Sequence, residues 1–123
     1  MNITIKAAKY TLTPESEALI KEKLSAPVRL LGEEGNDALL EIEIEHAPAE
    51  GRSAEPCRVV ARLIVQGKMF HAEAVKPTPE SAADRVRSEL EAEIRRYRGR
   101  ARRLVREGSS RLKRMLRFGR QNS

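Results

Sequence analysis

The feature that most constrains the fold is a strict alternation of apolar and acidic residues in segment 40–45, Leu-Glu-Ile-Glu-Ile-Glu. A period of two places Leu40, Ile42 and Ile44 on one face of a β-strand and the three glutamates on the other. The apolar face must be buried against a core while the acidic face contacts water. The chain therefore needs a sheet that is covered on one side.

Three further segments share this alternation. Apolar residues alternate in segments 2–7, 58–65 and 70–74, which predicts three more strands. Gln66-Gly67 favours a tight hairpin turn between the last two strands. The strands at 40–45, 58–65 and 70–74 should together form an antiparallel meander. Segment 46–56, which contains two prolines, predicts a flexible connector.

A first helix is predicted to begin at Thr13-Pro14-Glu15, because Thr13 can cap free N–H groups and Pro14 has the backbone angle of a first helical position. Its expected buried stripe consists of Ala18, Leu19, Ile20 and Leu24. Pro27 is expected to end the regular helix, and a polar loop is expected at 32–37.

A second, longer helix is predicted after Pro77-Thr78-Pro79, with Thr78 or Ser81 as its cap. Its apolar residues recur every three or four positions to about Glu107, and Tyr97 among them is expected to turn inward. The stripe comprises Ala83, Val86, Leu90, Ile94, Tyr97, Ala101 and Leu104.

The predicted fold class is α+β, in the order β-α-β-β-β-α, with two helices packed on one face of a four-stranded sheet. The chain has 123 residues, the size of a single domain. We expect one folded domain at 1–107 and a basic, flexible tail at 108–123, where Gly108-Ser109-Ser110 interrupts the helical pattern.

Composition and motifs argue against an enzyme. The only cysteine, Cys57, cannot form an internal disulfide, and with two histidines it leaves no four-ligand zinc set. His71 and Glu73 fit a solvated sheet face, and neither a phosphate-binding glycine loop nor a nucleophile elbow occurs. Arg58 could lower the pKa of Cys57, although an isolated thiol at a strand start is more often inert. We expect no catalysis, metal or cofactor.

The sequence also predicts a cytoplasmic protein. No run of 18 apolar residues could span a bilayer, and the start lacks the features of a secretory signal. A single cysteine is consistent with a reducing compartment.

Charge is distributed very unevenly. Residues 1–94 carry a net charge of −5 and residues 95–123 carry +11, which together give the chain's +6. A surface of this kind suits a polyanion, either nucleic acid or an anionic membrane. A solvated basic tail without a partner would have the same composition.

The basic residues of the second helix form two neighbouring ridges. One consists of Arg95, Arg98, Arg102 and Arg106, and the other of Arg96, Arg100 and Arg103. Arginine favours bidentate contacts with phosphate. Because Tyr97 is expected to face inward, base stacking has little support, and structured RNA is the favoured partner.

Four strings of the sequence, in this order, resemble the ribosome hibernation-promoting factor and ribosome-associated inhibitor family, also called sigma-54 modulation proteins. Segment 1–7 resembles the family's first strand, and 12–24 its first helix. Segment 67–74 resembles its last hairpin, and 90–98, with Arg96-Tyr97-Arg98, its second helix. The chain is similar to the short form, in which no dimerising second domain follows.

The resemblance implies binding to ribosomal RNA in the decoding region of the small ribosomal subunit, so that an idle ribosome is blocked and preserved. It implies neither a small-molecule substrate nor a membrane partner, and we expect a monomer away from the ribosome. The RNA contacts implied by the family are Lys21, Lys23, Arg95, Arg96 and Arg98. Charge alone adds Arg100, Arg102, Arg103 and Arg106.

The chain departs from the family pattern at the second helix. Glu80 stands where an aromatic residue is usual, while Asp84 is kept. Glu89 and Glu93 stand where Lys and Gln are usual, which removes positive charge from the helix. The arginines after Glu93 could compensate by moving the basic surface toward the C-terminus.

Two alternatives remain open. A divergent member of the family could use its arginines on other RNA or on DNA. A peripheral membrane protein could insert apolar residues of the tail among lipids while neighbouring arginines meet anionic head groups. The apolar residues are Leu112, Met115, Leu116 and Phe118, and the arginines are Arg111, Arg114 and Arg117.

Overall fold

The computed structural model describes residues 1–8, 11–47 and 56–107, with side chains described as far as Arg100. The predicted tail at 108–123 and most of the predicted connector lie outside the described residues. The elements are β1 (Asn2–Ala7), α1 (Pro14–Arg29), a 3₁₀ helix (Gly32–Asp37), β2 (Leu39–His46), β3 (Cys57–Val65), β4 (Lys68–Lys76) and α2 (Pro79–Glu107).

The four strands form one mixed sheet in the order β1-β2-β3-β4. Strand β1 pairs parallel with β2, because α1 carries the chain back between them, and the two later pairs are antiparallel. Helix α2 packs on β3, β4 and α1. The predicted α+β fold, with its order β-α-β-β-β-α, is confirmed.

The register of the sheet puts the alternating apolar residues in cross-strand rows. Leu40 lies opposite Leu63, which lies opposite Phe70. The next row joins Ile42 to Ala61. All five are buried in the core, and the helices supply its other side. At about 25 cal/mol per Å² of buried apolar surface, this face is the main source of stability.

The turn between β3 and β4 has the predicted tight geometry. Gln66 and Gly67 have φ angles of 48° and 76°. Positive φ at both central residues is the signature of a type I′ turn, whose twist matches that of the flanking strands. This turn brings the start of β4 beside the end of β3 and so fixes the position of Lys68.

Both helices begin with threonine caps. The backbone N–H of Ser16 donates to Oγ1 of Thr13 over 3.1 Å. At α2, the N–H of Ser81 donates to Oγ1 of Thr78 over 3.1 Å, and the N–H of Thr78 donates to Oγ of Ser81 over 3.3 Å. Thr78 is thus the cap, and Ser81 reciprocates in the manner of a capping box.

Two expectations for the first helix are wrong. Pro27 does not end α1, which continues to Arg29 with Pro27 buried inside its last turn. So close to the C-terminus, the loss of one backbone donor is tolerated in exchange for burial of the ring. Ala18 is exposed and Leu19 is 42% exposed, because the core-facing stripe runs through Ile20, Leu24 and Val28 instead.

The predicted polar loop at 32–37 is a 3₁₀ helix. Gly35 is buried in it, and a Cβ there would lie 2.8 Å from the carbonyl oxygen of Val28. Glycine is required at this close approach to α1. Among the helices of the described residues, none is long and apolar enough to cross a membrane.

Candidate nucleic-acid interface

The arginines of α2 are exposed because the apolar stripe of the helix binds it to the sheet. Val86, Leu90 and Ile94 are fully buried, and Ile94 is the last of them. Beyond that point Arg95, Arg96, Arg98 and Arg100 are all exposed. The helix thus continues past its packed region with a turn that is rich in guanidinium groups.

Helical spacing separates these arginines into two rows, one on each side of the exposed crest, which is the line along α2 that lies opposite its buried stripe. Arg95 and Arg98 continue the row that begins at Asp84, and Asp84 contacts Lys23 of α1. Arg96 and Arg100 lie instead beside the β3–β4 hairpin, where both line a cleft with Lys68. A polyanion crossing the crest could contact both rows at once.

The two predicted lysines on α1 are engaged in ion pairs. Lys21 Nζ lies 3.2 Å from Glu17 Oε1. Lys23 Nζ lies 2.6 Å from Asp84 Oδ1 and so joins α1 to α2. Sequence reasoning did not identify these partners. Because both lysines are half-buried and compensated, they offer less free positive charge than the arginines of α2.

The first half of α2 is compensated in the same way. Arg85 Nε lies 3.2 Å from Glu89 Oε1, and Arg87 Nε lies 3.2 Å from Glu91 Oε1. Arg95 makes only a long contact of 3.9 Å to Glu91. The acidic residues of α2 therefore neutralise cations in the first half of the helix and stop doing so where the predicted RNA-facing arginines begin.

Seven cations have no ion-pair partner among the residues that the structure describes: Lys6, Arg29, Lys68, Lys76, Arg96, Arg98 and Arg100. Four of them, Lys68, Arg96, Arg98 and Arg100, lie near the C-terminal half of α2. Uncompensated guanidinium and ammonium groups in one place are the usual electrostatic footprint of a phosphate-binding surface.

Lys68 belongs to a cluster with Phe70 and Tyr97. The two rings meet edge to face, with centroids 5.7 Å apart and planes at 78°. Lys68 Nζ lies 4.9 Å from the Tyr97 centroid and 5.4 Å from the Phe70 centroid, which are cation–π distances. Sequence reasoning missed Lys68, although its phase on β4, two residues before Phe70, indicates the same face.

Tyr97 does not turn fully inward as predicted. Its side chain packs on Phe70, but the residue remains 36% exposed. It lies three residues past Ile94, the last residue of α2 that is described as buried. This partial exposure matters because it gives the basic surface an accessible aromatic group.

The remaining predicted arginines, Arg102, Arg103 and Arg106, belong to α2, but their side chains lie outside the described part of the structure. Their roles stay predictions.

The opposite face of the sheet has a different electrostatic character. Arg58 lies 3.0 Å from Glu45 and 3.1 Å from Glu73, and Arg62 lies 3.1 Å from Glu43. These ion pairs leave the face compensated, which makes it a poor surface for a polyanion. His71 and Glu73 are exposed there, as predicted.

The Cys57 thiol is not activated. Burial, and secondarily the charge of Glu80, raise the pKa of Cys57. The expectation that Arg58 could lower that pKa is wrong, because its guanidinium pairs with glutamates on the other face of the sheet. No cluster of three His, Cys, Asp or Glu side chains suited to a metal occurs among the described residues.

Residues 3–102 match the protein family described as sigma 54 modulation protein / S30EA ribosomal protein. The match extends from β1 into the basic turn of α2. The chain belongs to this family.

Two solved structures of low sequence identity share the fold. The N-terminal domain of Protein Y from Thermus thermophilus has a TM-score of 0.61 at 18% identity, covering 79% of this chain and 99% of that chain. A ribosomal subunit interface protein from Coxiella burnetii has a TM-score of 0.63 at 15% identity, covering 80% and 99% respectively. No curated protein sequence matches the chain.

The structure shows which contacts are made by the residues of α2 that were compared with the family pattern. Asp84, the residue kept from the family pattern, forms the bridge to Lys23. Glu80, at the position where the sequence resemblance leads us to expect an aromatic residue, accepts a hydrogen bond from the Ser16 hydroxyl over 2.8 Å. Glu89 pairs with Arg85, while Glu93 lines the cleft beside Arg96. The departures at Glu80 and Glu89 therefore join the two helices or pair with a nearby arginine, whereas Glu93 forms no ion pair among the described residues.

Proposed function

We propose that this protein is a ribosome-associated translation inhibitor that binds the decoding region of the small ribosomal subunit through phosphates of ribosomal RNA. Binding there overlaps the paths of messenger and transfer RNA, so an idle ribosome is blocked and preserved. The protein acts by occupancy, without catalysis or a cofactor, in the cytoplasm, and is a monomer away from the ribosome.

The observation that carries this proposal is the set of uncompensated arginines in a chain of this family. Arg96, Arg98 and Arg100 lie beyond Ile94, the last residue of α2 that is described as buried, and have no ion pair among the described residues. A guanidinium group matches a phosphate with two parallel hydrogen bonds. Several such groups on one rigid helix fix the orientation of a protein on an RNA backbone.

Lys21 and Lys23 act as secondary contacts in this proposal. Exposed or half-exposed ion pairs contribute only about 0–1 kcal/mol, so either lysine can exchange its carboxylate for a phosphate at small cost. The exchange at Lys23 releases Asp84, whose negative charge then faces the RNA. We therefore expect the arginines of α2 to account for more of the affinity than the lysines of α1.

Sedimentation with purified ribosomal subunits tests the proposal. The chain should travel with small subunits, not with large ones, and messenger or transfer RNA bound in the decoding region should displace it. Binding to large subunits alone, or binding to small subunits that these RNAs leave unchanged, would contradict the proposed site.

A second candidate function is binding to structured RNA away from the ribosome. Glu89 and Glu93 favour it, because they place acidic groups on the helix where the family pattern carries Lys and Gln. In that case a structured RNA of unrelated sequence would bind as tightly as the small subunit. The membrane alternative depends on residues 111–118, which lie outside the described residues.

A further inference from the structure

We propose that the cleft between the β3–β4 hairpin and α2 binds a single phosphorylated nucleotide, with its phosphate held by the cations and its base placed on Tyr97. The cleft has a volume of about 410 Å³ and is lined by Lys68, Met69, Phe70, Glu93, Arg96, Tyr97 and Arg100. This volume lies in the lower range of small-ligand sites. The proposal deepens the proposed function by defining one contact with RNA.

The cations of the cleft come from two separate elements. Arg96 and Arg100 are successive members of one helical row, and Lys68 faces them from the start of β4. None has an ion-pair partner among the described residues, and Glu93 is the one carboxylate among the lining residues. The net charge of the lining is therefore +2, which suits one phosphate group.

The aromatic part of the cleft selects for a nucleotide over other phosphates. Tyr97 is 36% exposed and touches Phe70 through an edge-to-face contact, and a planar ligand would stack on the ring surface that Lys68 covers in the free protein. Bases stack on such surfaces without regard to sequence, because every base has a π-face. Side chains that bind a phosphate and an aromatic surface that stacks on a base are the two parts of a nucleotide site, and this cleft contains both.

Lys68 connects the two parts. In the free protein its ammonium lies over both rings, 4.9 Å from the Tyr97 centroid, where a base would stack. A phosphate at Arg96 and Arg100 attracts the same ammonium more strongly than the rings do. Its flexible stem lets Lys68 move to the phosphate. This movement uncovers the aromatic surface, so phosphate binding and base stacking are coupled.

The test uses the full chain and four probes: inorganic phosphate, adenosine, adenosine 5′-monophosphate and a single-stranded RNA hexamer. NMR titration of the Tyr97 ring and the Lys68 side chain measures each affinity. The monophosphate and the hexamer should bind more tightly than phosphate, and both should shift the Tyr97 signals. Adenosine alone should bind weakly, because it lacks the group that displaces Lys68.

Four variants separate the parts of the site. Tyr97→Leu should weaken hexamer binding by about 5- to 150-fold, the range for loss of one stacked base. It should not weaken phosphate binding, because Lys68 no longer has to leave the Tyr97 ring to reach the phosphate. Tyr97→Phe should retain both affinities, which controls for structural damage. Arg96→Gln with Arg100→Gln should lower the affinity for both phosphate and the hexamer, whereas Glu93→Gln should raise both affinities.

The outcomes also distinguish the source of the nucleotide. A hexamer that binds more tightly than the monophosphate supports an RNA nucleotide as the ligand, and equal affinities support a free nucleotide. Equal hexamer affinity for Tyr97→Leu and the unchanged protein would overturn the proposal. That result would leave sedimentation with small subunits intact, because Arg95 and Arg98 lie in the other row of α2.

Discussion

Replacing Arg96 and Arg100 by glutamine should stabilise α2 at low salt while weakening RNA binding. The two arginines are four residues apart on one helical row, and Lys68 adds a third cation to their cleft. A like-charge pair at this spacing destabilises a helix by roughly 0.2–0.5 kcal/mol. Arginine and glutamine have nearly equal helix propensities, so the charge is the main change.

The expected gain is about 0.5 kcal/mol once the repulsion from Lys68 is included. For a domain of this size that corresponds to a rise of roughly 2–4 °C in Tm. Thermal unfolding followed by circular dichroism measures the rise, and amide exchange at 97–100 locates it. In about 1 M salt, where the Debye length is near 3 Å, the difference should disappear.

Arg85→Gln provides the matched control on the same helix. Arg85 lies 3.2 Å from Glu89, so its replacement removes a favourable pair and should lower stability by about 0.3–0.5 kcal/mol. A lower Tm for the Arg96/Arg100 variant at low salt would refute the reasoning. It would mean that these guanidinium groups make stabilising contacts within the fold.

Three further predictions concern the salt dependence, the tail and the thiol. RNA affinity should fall by about 10³ to 10⁵ between 50 and 200 mM salt if six to ten phosphates are contacted, and a flat titration would contradict phosphate binding. Truncation after Glu107 should keep a cooperative thermal transition, since the buried residues identified in α2 end at Ile94. The same truncation should reduce RNA affinity, because it removes the basic tail. Loss of the thermal transition would refute the prediction. Cys57, whose pKa is raised by burial, should react with iodoacetamide at pH 8 only on unfolding, and rapid reaction of the native protein would show an exposed thiol.

The strands and helix starts could be predicted from sequence because their signals are local. Ile42 and its neighbours alternate along one strand, and Thr13 and Thr78 precede the helices that they cap. Gln66-Gly67 likewise specifies its own turn. In each case the interacting groups are a few residues apart, so the pattern contains both partners.

The errors in the fold arise where packing outweighs a local preference. Pro27 usually ends a helix, yet burial of its ring against the core lets α1 continue to Arg29. Leu19 is apolar but lies outside the stripe set by Ile20 and Leu24, and it is 42% exposed. Such outcomes depend on which face meets the sheet, and this is decided by the tertiary arrangement.

The sequence predicts the exposed arginines of the candidate site but not its contacts between elements, which depend on the tertiary arrangement. Exposure of the arginines follows from their helical phase relative to Ile94. Lys23 pairs with Asp84, which lies 61 positions further along the chain, and Lys68 of the β3–β4 hairpin contacts Tyr97 of α2. The sequence indicates at most the face of β4 on which Lys68 lies and not the partner of either lysine, although both contacts determine where free positive charge and aromatic surface occur.

The most direct test of the account is sedimentation of an Arg95→Glu/Arg98→Glu variant with small ribosomal subunits at physiological salt. Its control is Lys6→Glu/Lys76→Glu, which makes the same change in net charge at two exposed strand residues. We predict that the arginine variant stays at the top of the gradient, while the control and the unchanged chain travel with the subunit, all with similar Tm values. Sedimentation of the arginine variant with small subunits would contradict the claim that α2 binds ribosomal RNA.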